Sequence, residues 1–214
     1  MIRLRNIRFK YNSRYVLDGL DFTVNRGDRI GLIGSNGCGK TTLCHIIMGL
    51  LMPDSGEVEI FGELRKTESD FRQVRGRIGF LFQDADDQLF CPTVLEDVAF
   101  GPLNMGKSPE EAMRIVQTTL ASLHLDGFED RVTYRLSGGE KRLVSLATVL
   151  AMNPEILILD EPTTGLDEET TERLVTILNG SDLTYILISH DSDFVGRTTN
   201  TVYRISGGTL SGVA

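Results

Sequence analysis

The run Gly34-Ser35-Asn36-Gly37-Cys38-Gly39-Lys40-Thr41 constrains this chain more than any other feature. It follows a short apolar stretch, residues 29–34 (RIGLIG), and opens a helical apolar pattern over residues 41–51 that Pro53 and Gly56 end. A strand that runs into glycines and out into a helix concentrates backbone donors on a small arc. Glycine permits the positive φ angles and close approach that a Cβ would block. The helix beyond adds free N–H groups and the positive end of its dipole. The order matches G-x-x-x-x-G-K-[ST], in which Lys40 reaches the β- and γ-phosphates and the Thr41 hydroxyl ligates Mg²⁺. Gly34, Ser35, Asn36, Gly37, Cys38, Gly39, Lys40, Thr41 and Thr42 are the candidate phosphate-binding residues.

The rest of the chain supports an α/β core around that loop. Alternating apolar residues at Ile2, Leu4, Ile7 and Phe9, and then over residues 16–24, predict half-buried antiparallel strands. Residues 57–61 and 77–82 read as further strands. ILILD (156–160) and YILIS (185–189) are continuous apolar runs, expected of parallel strands buried on both faces, with a helix over 168–178 between them. The last strands are residues 201–205 and 209–213, turned at Gly207-Gly208. Between Asp84 and Leu150 the pattern is helical. Capping boxes are expected at Thr93 with Glu96, at Ser108 with Glu111 ahead of Pro109, and at Ser137 with Glu140 opening a helix to about residue 152. The division expected is one domain over 1–214: a core of 1–83 and 153–214, and a helical insertion of 84–152.

Composition excludes several classes. At 41% hydrophobic and 24% charged over 214 residues, the chain is neither disordered nor collagen-like. Its net charge of −8 argues against gripping nucleic acid by bulk charge, and no nucleic-acid partner is expected. The three cysteines, Cys38, Cys44 and Cys91, show no C-x-x-C spacing and suit a reducing compartment. No apolar signal core opens the chain, and the longest near-apolar stretch, residues 43–52, falls short of the roughly 20 residues of a membrane span. Work at a membrane would need another chain to hold this one there.

The ILILD strand ends in Asp160, followed by Glu161, in the crevice where ligands of such sheets bind. There Asp160 would hold Mg²⁺, through water or directly, and Glu161 would face the attacking water as general base or water-positioner. Leu136-Ser137-Gly138-Gly139-Glu140 then precedes KRLVSLATVLAMNPEILILDEPTTGLD. Taken with the glycine loop, this strongly resembles the ATP-binding cassette (ABC) superfamily of ATPases over nearly the whole chain. The resemblance implies a P-loop NTPase core with a mixed sheet, an N-terminal antiparallel β subdomain and an inserted helical subdomain. It implies hydrolysis of ATP with Mg²⁺ held by Thr41, Gln83 and Asp160. It makes Tyr11 the aromatic that stacks on adenine, Gln83 the glutamine that reaches Mg²⁺ and the attacking water, and His190 the histidine at the γ-phosphate. Lys40, Gln83, Glu161 and His190 form the implied catalytic set. Ser137, Gly138, Gly139 and Glu140 become a second anion site, offered to the nucleotide of an opposite subunit. Gly165, Leu166 and Asp167 become the loop by which two subunits touch.

Residues 80–106 (FLFQDADDQLFCPTVLEDVAFGPLNMG) look like the ATPases of energy-coupling-factor importers. This resemblance implies a transmembrane energy-coupling subunit and a substrate-binding membrane protein as partners. It places the chain peripherally on the cytoplasmic face of the cell membrane, with the groove around this segment receiving a helix of the membrane chain. Asp86 and Asp87 belong to the resembling run and are not expected to ligate metal. The chain stops soon after Gly207-Gly208, which is more like members dedicated to cobalt, nickel or biotin than like a shared vitamin module. The complete motif set favours a homodimer over pairing with a degenerate partner. The competing readings are a soluble, non-transport ABC ATPase acting on a macromolecular complex, and a regulatory module without turnover, against which Lys40, Asp160, Glu161 and His190 speak.

Overall fold

The structure, a computed structural model, describes residues 1–213; Ala214, the last position of the expected core segment, lies outside the described residues. The chain opens with β1 (Ile2–Tyr11), β2 (Arg14–Val24), β3 (Arg29–Ile33), α1 (Lys40–Ile47), β4 (Ser55–Ile60), β5 (Glu63–Leu64) and α2 (Glu68–Arg75). It continues with β6 (Ile78–Leu81), α3 (Val94–Asn104), α4 (Pro109–Ser122) and α5 (Gly138–Leu150). It closes with β7 (Ile156–Asp160), α6 (Glu168–Asn179), β8 (Thr184–Ile188), α7 (Ser192–Thr198), β9 (Thr201–Ser206) and β10 (Thr209–Val213).

Two sheets result. An antiparallel one runs β2-β1-β4-β5, and a mixed one runs β10-β9-β3-β8-β7-β6, parallel throughout except for β10 against β9. Side chains alternate across a strand, and this decides what each face meets. Ile156, Ile158, Ile186 and Ile188 pack with Leu43, Ile46 and Ile47 of α1 and with the antiparallel sheet. Leu157, Leu159, Tyr185 and Leu187 face the other way, onto Leu143, Val144 and Leu146 of α5 and Leu174 and Leu178 of α6. β7 and β8 are therefore buried along their whole length. The architecture is the mixed-sheet core with antiparallel β subdomain and helical insertion that the resemblance implied.

The expected capping boxes at Thr93/Glu96, Ser108/Glu111 and Ser137/Glu140 are all formed. Three local expectations need correction. α1 ends at Ile47 rather than near residue 51, because Gly49 turns left-handed (φ 65°) and a Cβ there would fall on the Phe71 ring. α5 stops at Leu150, short of 152. α2 and α7 were not anticipated. α2 is a single amphipathic turn pair, capped by Thr67 with Asp70 in place of the glutamate usual at that position.

Candidate active site

The glycine loop leaves the carboxyl end of β3 and wraps into α1. Gly39 is the N-cap residue, at φ 113° and with no side-chain cap. A Cβ there would stand 2.9 Å from Leu17 Cδ2 and 3.2 Å from the Val16 carbonyl, so only glycine lets β2 lie against the loop. The first amides of α1 have no intrahelical acceptor and none from a capping side chain. The Lys40 ammonium donates to the carbonyls of Gly34 (2.8 Å) and Ser35 (3.2 Å), folded over the loop that it closes.

Opposite the loop, Asp160 ends β7. Its Oδ2 accepts a hydrogen bond from Thr41 Oγ1 at 3.0 Å. Burial raises the Asp160 pKa, and the Thr41 hydrogen bond, His45 and Lys40 oppose the rise. Among the described residues no group of three or more His, Cys, Asp or Glu side chains forms a metal cage. A hydroxyl and a carboxylate converging on one point instead fit Mg²⁺ that arrives with phosphates, which supply its remaining oxygens.

Glu161 follows in a left-handed conformation, φ 47°. Its amide donates to the Ile188 carbonyl (2.9 Å), and its Oε2 accepts the His190 amide (3.3 Å). His190 Nε2 stands 3.2 Å from Oε1 but without hydrogen-bond geometry, so that buried oxygen has no hydrogen-bond partner. Burial raises the Glu161 pKa, with the His190 side chain opposing. A basic carboxylate with an unused oxygen at a cavity wall can take a proton from water.

A cavity of about 610 Å³ brings Asn36, Gly37, Gly39, Lys40, Thr41 and Thr42 together with Gln83, Asp160, Glu161 and His190. Tyr11 stands at its mouth, half exposed, edge-on to Phe9 at 5.0 Å between ring centres. Gln83 also faces a second cavity, about 840 Å³, reaching Gly138 and Lys141. Ser137, Gly139 and Glu140 do not line the first cavity. Ser137 Oγ accepts the Glu140 amide (3.2 Å) while the Glu140 carboxylate accepts the Ser137 amide (2.8 Å) and pairs with Arg131. Glu140 is thus turned onto its own helix cap. Gly165, Leu166 and Asp167 lie beside this tip. A Cβ on Gly138 would be 3.9 Å from the Gly165 carbonyl, and Asp167 caps α6 by accepting the Thr170 amide.

A family profile described as ABC transporter matches residues 17–164. The chain belongs to the ABC transporter family. A putative ABC transporter ATP-binding protein of Nitratidesulfovibrio vulgaris is 53% identical, over 97% of this chain and 77% of that one. The energy-coupling factor transporter ATP-binding protein EcfA of Methanothermobacter thermautotrophicus is 41% identical, over 98% and 69%. Among solved structures, cbiO1 of Clostridium perfringens, part of the ABC transporter complex cbiONQ, matches with TM-score 0.89 at 31% identity, over 98% of this chain and 86% of that one. The ATP-binding cassette MJ0796, solved as a dimer in a post-hydrolysis state with ADP and Pi, matches with TM-score 0.89 at 25% identity, over 100% and 99%. This ABC cassette is an ATPase.

Sequence reasoning passed over two features of the cassette. Arg142 is buried on the inner face of α5 and donates to the carbonyls of Phe82, Gln83 and Glu161. The available signal was an arginine at the spacing of the buried positions Ser145 and Val149. The second feature is Asp97, buried in α3, with Oδ1 accepting the amides of Phe90 and Cys91 and Oδ2 unpartnered. It lines a mostly apolar groove of about 370 Å³ with Leu50, Phe82, Phe90, Phe100 and Met152. No helix among the described residues is long and apolar enough to cross a membrane.

Proposed function

We propose that this chain is the ATP-hydrolysing subunit of an importer of the energy-coupling-factor type, working as a head-to-tail homodimer. The observation that carries the dimer is the separation of two anion-binding helix tips on one chain: Lys40 and Thr41 line the first cavity, and Ser137 and Gly139 do not. A tip with free glycine amides and no phosphate cradle of its own fits the nucleotide of a second copy. The importer class rests on likeness to EcfA and to cbiO1. The cargo is then a transition-metal ion such as cobalt or nickel, or a vitamin such as biotin, recognised by a membrane protein.

In this reading Tyr11 stacks on adenine, and the loop from Gly34 to Thr42 cradles the phosphates. Thr41, Asp160 and Gln83 hold Mg²⁺, which neutralises phosphate charge when bound. Glu161 takes the proton of the attacking water, and His190 orients the γ-phosphate. Gly165, Leu166 and Asp167 meet the second copy. The groove beside Phe90 and Phe100 receives a helix of the transmembrane energy-coupling subunit. That docking holds the cassette on the cytoplasmic face of the membrane.

The test is Glu161→Gln with saturating ATP and Mg²⁺, followed by light scattering. A dimer that dissociates when ADP replaces ATP is expected. A variant that binds ATP yet remains single overturns the reading. For the importer class, co-expression with membrane partners and uptake of labelled cobalt, nickel or biotin should depend on Lys40. Co-purification with ribosomes instead of detergent-solubilised partners would sink it.

A further inference from the structure

Arg142 is the least explained charge in the molecule. It is 3% exposed, and its hydrogen bonds all run to backbone carbonyls: Nη1 to Phe82 (2.5 Å), Nη2 to Gln83 (2.5 Å) and to Glu161 (3.0 Å). Its Nε has no partner. Desolvating a guanidinium is expensive, and neutral dipoles with one orphan N–H offset it poorly. Burial accordingly lowers its pKa, against the pull of Asp84, Asp160 and Glu161. An apolar side chain of similar length would suit the interior of α5 better if packing were the only demand.

The three carbonyls say what else is demanded. Phe82 and Gln83 lead off β6; Glu161 leads off β7. One planar fork on α5 therefore fixes the start of the glutamine loop against the backbone of Glu161. That backbone needs fixing. A non-glycine residue at φ 47° is strained and persists only where its surroundings over-determine it. Three bonds clamp this turn: the Glu161 amide to Ile188, and the Glu161 carbonyl from the Thr164 amide (3.2 Å) and from Arg142, the one side chain among them.

We propose that Arg142 is a positioning residue for hydrolysis: its guanidinium holds Glu161 in its left-handed turn and in register with the Gln83 loop. This rests on the role proposed above for Glu161. Arg142 also lies on the same helix as the Ser137 tip, so the glutamate of one site is anchored to the helix whose tip serves the other.

The experiment uses the full chain with five forms: wild type, Arg142→Met, Arg142→Lys, Glu161→Gln, and Arg142→Met combined with Glu161→Gln. Turnover, the KM for ATP, single-turnover hydrolysis and melting temperature are measured. Arg142→Met should lower kcat at least about tenfold with KM within about twofold, because misplacing a proton acceptor leaves ATP binding intact. Added to Glu161→Gln, it should lower residual hydrolysis by less than about twofold, since a residue acting through Glu161 has nothing left to position. Lysine keeps the charge but not the fork, so Arg142→Lys should also lose kcat, by at least about threefold, at unchanged KM. It decides the matter if the methionine variant does not fold.

Wild-type kcat in either folded Arg142 variant overturns the proposal. So does a loss that appears in KM, or an equal loss in the Glu161→Gln background. Wild-type turnover in Glu161→Gln itself refutes instead the role given to that glutamate.

Discussion

The amino ends of α1 and α5 are both glycine-flanked helix tips, and they are finished in opposite ways. At α1 the cap is Gly39, left-handed and without a side-chain acceptor, so the tip is incomplete until something anionic fills it. At α5 the cap is Ser137, locked reciprocally with Glu140 and backed by Arg131. That tip is complete as a piece of structure and still turns exposed Gly138 outward. The first leaves its leading amides without a side-chain acceptor, and its Gly39 turn has no room for a Cβ. The second folds without a ligand and presents itself to one. This contrast suits the two-copy site proposed above, with the first tip as its phosphate cradle and the second as a lid that is finished without phosphate.

The largest test falls on the cradle. Gly39→Ala forces a Cβ into φ 113° and against Val16 and Leu17. Turnover should drop by at least about 100-fold, the scale of losing aligned phosphate donors, with ATP affinity falling alongside. Phosphate release and an ATP titration measure it. Normal binding in that variant would mean that the Gly39 turn is not what holds the nucleotide.

A smaller effect is expected at the lid. Ser137→Ala removes the cap, for a destabilisation of about 1 kcal/mol read by denaturant melts. Turnover of the assembled dimer should fall about tenfold, while ATP binding by the lone chain stays at its wild-type value. Weakened binding by the lone chain would erase the contrast, because both tips would then serve one site within a single copy.

Residues whose chemistry demands fixed order were readable from the sequence. The glycine loop, Asp160 at a buried strand end and three capping boxes carry their reason in a few consecutive positions. Elements decided by contacts elsewhere were not. Gly49 hides inside an apolar run, and only the Phe71 ring lying against it explains why α1 stops there. α2 is short, half charged and capped through Asp70, too weak a pattern to stand without its packing. Arg142 was invisible for a sharper reason. Its partners are carbonyls, which every residue has, drawn from segments far apart in the chain. The surroundings of the site, unlike its motif, are written in tertiary structure.

The cavity that the α1 tip lines and the α5 tip should part company in their response to pH, and this is the smallest effect. Burial raises the Glu161 pKa in the folded state, with His190 and Lys40 opposing and Asp160 adding to it. An acid with a raised folded pKa contributes no penalty when both states are protonated. Stability is lost as pH rises from the ordinary glutamate value to the folded one, and the loss is constant above that. In EDTA and without nucleotide, Glu161→Gln should therefore melt higher than wild type at pH 7. The gain should shrink as pH falls through that window. At Glu140 the shift is the reverse: the Ser137 amide first, and Arg131 further, hold its pKa below the ordinary value despite some desolvation. Its ionised form contributes stability that is present above the ordinary value and lost as pH falls through the folded one. Glu140→Gln should melt lower than wild type at pH 7, and the two curves should converge in acid. Shifts of the same sign at pH 7 would show that the two carboxylates are not opposed in this way, and that the cavity acid is held for stability as much as the cap acid.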